Sequence, residues 1–349
     1  MSTLIIYGAT GYVGRLVARL AVDRGLRPVL AGRDQGRLAA LGLDTPVHAC
    51  ALDDPAGLDR LLGDASVLLN LAGPFARTQR PLVDACLRTR THYLDLSGEA
   101  AEFLSVRQRH ADLAAAGVMA MPGVGFGVVP TDAMAVHLAH RLPGARRLEL
   151  SFVTTGRVSR GTLATLTAGM ACVGLQRRDG RLVPARAAAE TRQVTDGTTR
   201  TRVVTNPWRA DVVSAAESTN VPDVATFFAV PGPLRLALRA APAVPWLVGS
   251  AVARRARAAL LGRLPEGPTA AQLDAGRTLV HGLARDDAGT VVEAALTGPD
   301  AYRYSAHTAV ELLARTAAGE APPGFRTPAE VHGPAIALTT PGTALRDLR

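Results

Sequence analysis

The sequence contains no lysine, and all 39 of its basic residues are arginine. That absence excludes a P-loop that holds phosphate with lysine, a Schiff-base enzyme, and a reductase that depends on a Tyr-x-x-x-Lys dyad. The arginines are spread along the chain and do not form one basic run. Because the formal net charge of +9 is not concentrated in one basic run, no nucleic-acid partner is predicted.

Cysteine is also scarce. Cys50, Cys86 and Cys172 lie far apart, with neither the spacing of metal ligands nor that of a disulfide framework. The histidine and aspartate residues are scattered in the same way, so no metal site is predicted. The N-terminus begins with a strand pattern and not with the charged and then apolar pattern of a secretory signal, so a cytoplasmic location is expected.

Long apolar runs are missing too. The uncharged stretch "AAPAVPWLVGSAVA", residues 240–253, is too short for a membrane span and contains two prolines. The arginine-rich stretch "RRARAALLGR" follows it, which leaves weak interfacial membrane binding as an alternative. No transmembrane span is predicted.

Apolar runs alternate with amphipathic segments through the first third of the chain. The runs lie near residues 2–8, 28–32, 47–52, 66–72, 92–96 and 118–122. This alternation is typical of βαβ units. It predicts an α/β fold in which residues 1–123 form a Rossmann-like, doubly wound parallel sheet.

The pattern changes after residue 123, and we expect a second, mixed α+β domain over residues 124–299 that would hold the substrate. Its predicted strands lie at 148–154, 182–194, 200–206 and 290–296. Residues 222–268 are rich in proline and read as a loop-rich helical insertion. A helix in "YRYSAHTAVELLARTAAGE" is expected to pack back on the first domain, which residues 300–349 would complete.

The stretch "GATGYVG" connects the first predicted strand to a helix. In a dinucleotide-binding loop the first glycine allows a tight turn, the second lets the backbone approach the pyrophosphate, and the third lets helix and strand pack closely. The pyrophosphate would then meet the helix N-terminus. An ordinary turn is the alternative. The predicted cofactor contacts in this loop are Gly8, Thr10, Gly11, Tyr12, Val13 and Gly14.

The second strand ends in "AGRDQGR", where an NAD-selective protein would carry an acidic residue for the ribose hydroxyls. Gly32 and Arg33 stand there, and a guanidinium favours the 2′-phosphate of NADP(H). Asp53 either bonds the adenine or caps the helix that follows. Three further residues would lie beside the nicotinamide: Ala72, Gly73 and Pro74.

The candidate catalytic residues begin with "THYLDLSGE" at the end of the fifth strand. Strand alternation directs Tyr93, Asp95 and Ser97 to one side, and Glu99 begins the next helix. We predict Tyr93 as the proton donor, with Asp95 and Glu99 as further catalytic candidates. The alternative is that Tyr93 packs in the core with its hydroxyl satisfied, while Ser97 and Glu99 support the helix start.

A second candidate region is "PGVGFGVVPTD". Its glycine-rich bend would face the nicotinamide and the substrate, with Phe126 lining the pocket. Asp132 falls in the first helical turn, where the helix dipole favours a carboxylate whether or not it acts in catalysis. The alternative donors are Tyr302, Tyr304 and His307.

These motifs together with "NLAGPF" and "GFRTPAEVHG" resemble the saccharopine dehydrogenase-like reductases, and the trans-acting enoyl reductases are the subgroup they look most like. The similarity covers residues 4–135, more loosely 148–170, and again 300–333. It implies an NADP-binding Rossmann domain, a second domain contributing to the active site, and hydride transfer to an activated C=C or C=N bond. Residues 222–268 follow no pattern of that family, so the substrate stays open.

The expected function is an NADPH-dependent reductase for an enoyl or imine bond in a lipid, polyketide or other secondary-metabolism intermediate. The substrate would be a small molecule or a carrier-bound intermediate, and a homodimer is an open alternative. Two other functions remain. One is an amino-acid dehydrogenase acting on a C–N bond, and the other is a non-catalytic NADP(H) sensor, which the same fold would allow.

Overall fold

Two units, each drawn from two stretches of the chain, make up the structure, a computed structural model. The residues it describes are 3–169, 173–240 and 262–349. The first unit consists of Met1–Val129 and Tyr302–Thr340, and the second of Pro130–Ala301 and Pro341–Arg349.

The strands alternate with helices early in the chain and then follow one another closely. They are β1 Thr3–Tyr7, β2 Val29–Gly32, β3 Val47–Ala49, β4 Ala65–Asn70, β5 His92–Asp95, β6 Met119–Met121, β7 Arg147–Thr154, β8 Gly174–Arg178, β9 Arg181–Ala185, β10 Thr191–Thr195, β11 Arg200–Thr205, β12 Asp223–Phe228, β13 Arg277–Arg285, β14 Val291–Pro299, β15 Gly324–Phe325 and β16 Ala344–Asp347.

The helices are α1 Tyr12–Asp23, α2 Gln35–Ala39, α3 Pro55–Leu62, α4 Phe75–Thr89, α5 Ala100–Arg107, α6 His110–Ala115, α7 Val129–Arg141, α8 Arg160–Gly169, α9 Asp211–Thr219, α10 Gly232–Ala240, α11 Ala270–Ala275, α12 Ala301–Ala317 and α13 Pro328–His332. No helix among the described residues is both long and apolar enough to cross a membrane.

The first unit is built on a parallel sheet with the strand order β15-β6-β5-β4-β1-β2-β3. The central strand β4 contains Val67, Leu68 and Leu69, all fully buried, as expected of a strand whose two faces are both covered by helices. The predicted doubly wound sheet and its six strands are confirmed. The short strand β15, which pairs with β6, was not predicted.

The second unit contains a nine-stranded mixed sheet with β10-β11-β12-β7-β13-β14-β16 along its main path. Strands β7 and β12 are parallel, and the other pairs along that path are antiparallel. The predicted mixed α+β fold of this part is confirmed. Helix α7 packs against the sheet, because a side chain at Gly282 would meet Met134 and Leu138.

Two expectations about this part of the chain are wrong. Residues 222–268 are not a single insertion, because Asp223–Phe228 is the strand that pairs with β7, in the interior of the sheet. The rest of that segment includes α10, and residues 241–261 lie outside the described residues. The last nine residues do not complete the first domain, because β16 pairs with β14 of the second unit.

Candidate cofactor and active site

The three glycines of the first loop each occupy a position with a different steric demand. Gly8 has a positive φ of 89°, and a Cβ there would lie 2.6 Å from the backbone nitrogen of Ala72. A Cβ at Gly14 would lie 2.2 Å from the carbonyl oxygen of Gly8. At Gly11, by contrast, the one neighbour of a Cβ is that same oxygen at 3.4 Å. The loop therefore packs tightly at Gly8 and Gly14 and is open at Gly11.

The open position coincides with the start of α1. Gly11 is the N-cap of this helix, so no side chain at the cap accepts from the amides of the first turn. No acidic residue lies in that turn either. The carbonyl of Thr10 is held by the Arg15 guanidinium at 2.8 Å, and the Tyr12 ring meets Tyr302 edge-on at 5.4 Å. An anion at Gly11 would face the positive end of the helix.

Arg33 lies exposed directly after β2, at the edge of the sheet where the glycine loop also lies. Arg33 and Asp53 both act on the buried hydroxyl of Tyr7. Burial raises the pKa of Tyr7 to about 12, helped by Asp53 and opposed by Arg33. Both charged side chains therefore lie near enough to Tyr7 to affect its pKa. The helix cap expected of Asp53 is supplied instead by Asp54, which accepts from the Gly57 amide at 2.9 Å.

The stretch after β4 is held by Asn70 and Thr78. The Asn70 side-chain oxygen accepts from the amide of Ala72 at 3.0 Å, and the Thr78 hydroxyl donates to the Ala72 carbonyl at 2.6 Å. Gly73 and Pro74 follow and are exposed. Two hydrogen bonds thus fix the backbone at Ala72, while Gly73 and Pro74 are accessible to solvent.

Asp95 is the centre of a buried hydrogen-bond network at the end of β5. One carboxylate oxygen accepts from the hydroxyl of Tyr93 and the amide of Gln79, each at 2.9 Å. The other accepts from the Ser97 backbone at 2.8 Å, the Ser97 hydroxyl at 2.6 Å and the Gly123 backbone at 3.1 Å. The carboxylate therefore ties the ends of β5 and β6 to α4.

Tyr93 shares this network and is fully buried. Its hydroxyl accepts from Asn70 at 3.0 Å and donates to Asp95, and burial together with the Asp95 charge raises its pKa well above the ordinary value. The alternation that directed Tyr93, Asp95 and Ser97 to one side is observed. Their hydroxyls and carboxylate bond one another, as in a satisfied core, and the donor role of Tyr93 stays a prediction.

The glycine-rich bend after β6 is clamped from two directions. A side chain at Gly123 would meet Phe103 of α5, and the helix α12 bonds the bend through Ser305, which accepts from the Phe126 amide at 3.0 Å. Thr308 donates to the Val124 carbonyl at 2.9 Å. The first turns of α12 therefore hold the bend in place.

Comparison with known proteins agrees with this geometry. Residues 4–121 match the family model of the Saccharopine dehydrogenase NADP binding domain. Residues 4–121 thus form a domain that is similar to this NADP-binding domain. Its cofactor is accordingly NADP(H), and the resemblance seen in the motifs is confirmed.

The relatives of the chain are oxidoreductases. A trans-acting enoyl reductase of Mycobacterium leprae is 38% identical over 157 residues, which cover 42% of this chain and 38% of the relative. A saccharopine dehydrogenase-like oxidoreductase of Bos taurus is 28% identical over 174 residues, covering 43% of this chain and 40% of the relative. The match therefore spans about two fifths of the length of these curated relatives.

A solved structure extends the likeness to both units. The apo saccharopine dehydrogenase (L-Glu forming) of Saccharomyces cerevisiae aligns over 100% of both chains with a TM-score of 0.66. At 14% sequence identity this likeness concerns the fold alone. Both units of this chain thus share their fold with that structure.

Glu102 is a candidate site residue that the sequence analysis missed. It lies in the first turn of α5, and its Oε2 atom is buried with no hydrogen-bond partner among the described residues. Burial, followed by the charge of Glu99, raises the pKa of Glu102 to about 7, and Asp95 adds to the effect. The sequence feature that could have identified it is its position three residues after Glu99, which puts the two glutamates on the same side of the helix.

We expect the variant Glu102→Gln to change how stability depends on pH. The raised pKa means that folding favours the protonated form, so this contribution is complete below pH 4.5 and is lost as pH rises through about 7. Thermal unfolding should show the variant gaining stability relative to wild type across that window. Asp44→Asn, at an exposed position, is the control, and parallel curves for all three proteins would contradict the expectation.

The remaining candidates have structural partners. Asp132 is fully buried in α7 and accepts from the Ser218 hydroxyl at 2.7 Å within the second unit. Burial raises the pKa of Tyr304, whose hydroxyl donates to the Ala337 carbonyl, and its ring meets Phe126 edge-on. His307 contacts the Arg24 guanidinium at 2.9 Å, and burial lowers its pKa.

In residues 3–169, 173–240 and 262–349, no three His, Cys, Asp or Glu side chains are grouped so as to hold a metal ion.

Proposed function

We propose that this chain is an NADPH-dependent reductase that acts on an activated C=C bond of an enoyl intermediate, small or carrier-bound, in lipid, polyketide or other secondary metabolism. The observation that carries the proposal is the loop that is open at Gly11, at the start of α1, together with Arg33 in place of an acidic residue directly after the next strand. The similarity to trans-acting enoyl reductases supports the choice of an enoyl bond.

Each predicted cofactor contact has a role in this proposal. The amides at the start of α1 hold the pyrophosphate in the loop from Gly8 to Gly14, which includes Thr10, Tyr12 and Val13. Arg33, after Gly32, binds the 2′-phosphate, and Asp53 bonds the adenine. The accessible backbone of Ala72, Gly73 and Pro74 lies beside the nicotinamide, and bound NADPH supplies the hydride.

The proton is assigned to the start of α5. Glu99 is the N-cap of this helix and is half-buried at the carboxyl edge of the sheet. Of the predicted catalytic groups, we therefore propose Glu99 as the one that transfers the proton to the substrate. Glu102 follows in the first turn of the same helix, and its pKa of about 7 lets its carboxyl gain or lose a proton near neutral pH. Tyr93 and Asp95 position the bend over the site, and Asp132 orders the start of α7.

A second candidate function is oxidation or reduction of a C–N bond, as in an amino-acid dehydrogenase or imine reductase. It is favoured by relatives described as saccharopine dehydrogenase-like oxidoreductases. The hydride goes to carbon in both functions, but the proton goes to carbon in the first and to nitrogen in the second. The two functions therefore differ in which acceptors support oxidation of NADPH.

The test is to follow the absorbance of NADPH with a panel of enoyl thioesters and cyclic imines. Oxidation with thioesters alone is expected, whereas oxidation with imines alone would transfer the assignment to C–N chemistry. Tight NADPH binding with no oxidation in any mixture would overturn the reductase and favour a non-catalytic sensor. The cytoplasmic location and the homodimer stay predictions.

Arg33→Ala should raise the KM for NADPH by about tenfold or more and leave the KM for NADH nearly unchanged. The reason is that a guanidinium pairs with the 2′-phosphate, which NADH lacks, through charge-assisted bonds. Steady-state kinetics with each cofactor measures this, and the exposed Arg19→Ala on α1 is the control. Equal effects on the two cofactors would remove Arg33 from the 2′-phosphate site.

A further inference from the structure

The second unit contains a cavity of about 260 Å³ beside the turn that joins β8 to β9. Its polar lining comes mainly from Arg147, Arg177 and Arg178, together with Gln176, Asp179 and Asp223. Val224 and Ala225 of β12 complete the wall. Three arginines from β7 and β8 therefore line one small space, together with two aspartates.

The turn that forms the wall is held in place. The Asp179 amide donates to an Asp223 carboxylate oxygen at 2.6 Å, and the Gly180 amide donates to the Pro222 carbonyl at 3.0 Å. In addition, Arg177 is aligned with Val224 in an antiparallel bridge between β8 and β12. The cavity is thus preorganised by backbone contacts and does not depend on a ligand to form.

Three arginines and two aspartates line the cavity, so the lining keeps one formal positive charge in excess. Arg178 stands directly opposite the exposed Arg181 across the hairpin, and like charges in that position repel. In the part of the chain that the structure describes, neither Arg178 nor Arg181 forms an ion pair. The Arg178 guanidinium instead bonds the amide oxygen of Gln176, at 3.0 and 3.1 Å, once that amide is oriented to satisfy both groups.

Two other charged side chains around the cavity, Arg147 and Asp223, already have partners within the protein. Arg147 pairs with Glu149 at 2.8 Å, and one oxygen of Asp223 already accepts the turn amide. A guanidinium has five N–H donors, so one carboxylate partner leaves donors on Arg147 for a ligand. An anion in the cavity would therefore receive bonds from more than one direction and relieve the repulsion between Arg178 and Arg181.

We propose that this cavity binds a phosphate group, either as the free anion or as part of a phosphate ester. A tetrahedral phosphate accepts bonds along several directions, which suits guanidinium groups from two strands, whereas a planar carboxylate accepts best from a single fork. The site lies within the second unit and uses none of the residues assigned above to NADP(H). It is independent of the proposed reductase activity.

The experiment is isothermal titration calorimetry of the full chain at low ionic strength, in the presence of saturating NADPH. The cofactor occupies its own phosphate contacts, so added phosphate reports on other sites. The probes are inorganic phosphate and glycerol 3-phosphate, and the tighter of the two identifies the source of the group. Saturable binding of at least one is expected, and it should weaken as salt is added.

Arg178→Gln should weaken this binding by about tenfold or more, since it removes charge-assisted bonds to the anion. Arg200→Gln is the matched control, because Arg200 is likewise an exposed arginine of a hairpin, opposite Thr195. Circular dichroism verifies that both variants fold. Absence of saturable binding to the wild type, or equal binding by Arg178→Gln and Arg200→Gln, would overturn the proposal.

Discussion

Gly14→Ala is expected to abolish measurable NADPH binding and to lower the free energy of unfolding by about 1–3 kcal/mol. The added methyl group would lie 2.2 Å from the Gly8 carbonyl oxygen and 2.8 Å from the Ala9 carbonyl carbon, both of them backbone atoms. Backbone cannot rotate away as a flexible side chain can, so α1 must move from the end of β1. Fluorescence titration with NADPH and urea denaturation measure the two effects.

Gly11→Ala separates cofactor binding from folding. Its methyl group would meet one atom at 3.4 Å, so the fold should keep its stability, while the methyl group occupies the space assigned to the pyrophosphate. We expect NADPH affinity to fall by about tenfold or more, since donors that lose their bond to a charged group forfeit that much. Gly144→Ala, with open space around it, is the control for both variants. Unchanged affinity in Gly11→Ala would show that the pyrophosphate lies elsewhere.

Asp95→Ala is expected to destabilise the protein by about 3 kcal/mol or more, because a buried donor left without an acceptor costs about 1–3 kcal/mol. Five hydrogen bonds converge on this carboxylate, and their donors belong to Gln79, Tyr93, Ser97 and Gly123. Without Asp95 these buried donors have no acceptor. Such a loss is a large fraction of the stability of an ordinary domain, so the midpoint of urea unfolding should fall clearly.

The same variant tests the catalytic role predicted for Asp95 from the sequence. Asp44→Ala, at an exposed position, should change stability by less than about 0.5 kcal/mol and is the control. If Asp95→Ala keeps wild-type stability and loses only turnover, the carboxylate acts in the chemistry and not in positioning the loops. If both fall together, comparison of turnover per folded molecule separates the two roles.

The first unit was largely predictable, because a parallel sheet covered on both faces has apolar strands that stand out against amphipathic helices. The six strands from β1 to β6 lie where the apolar runs predict them. The second unit was less predictable, because several of its strands begin or end with charged residues. Arg147 begins β7, Arg177 and Arg178 end β8, and the sequence of β12 lies inside a proline-rich segment.

The sequence by itself determined the βαβ series, the spacing of Gly8, Gly11 and Gly14, and the arginine that follows the second strand. These features are local, since turn geometry, helix capping and strand periodicity depend on neighbours within a few residues. Only the tertiary structure decided that Asp95 bonds Gln79 and Gly123, that the Oε2 atom of Glu102 is buried, and that Arg178 lies opposite Arg181. Burial and pairing between distant segments set the hydrogen bonds and pKa values of side chains, and no spacing along the chain reports them.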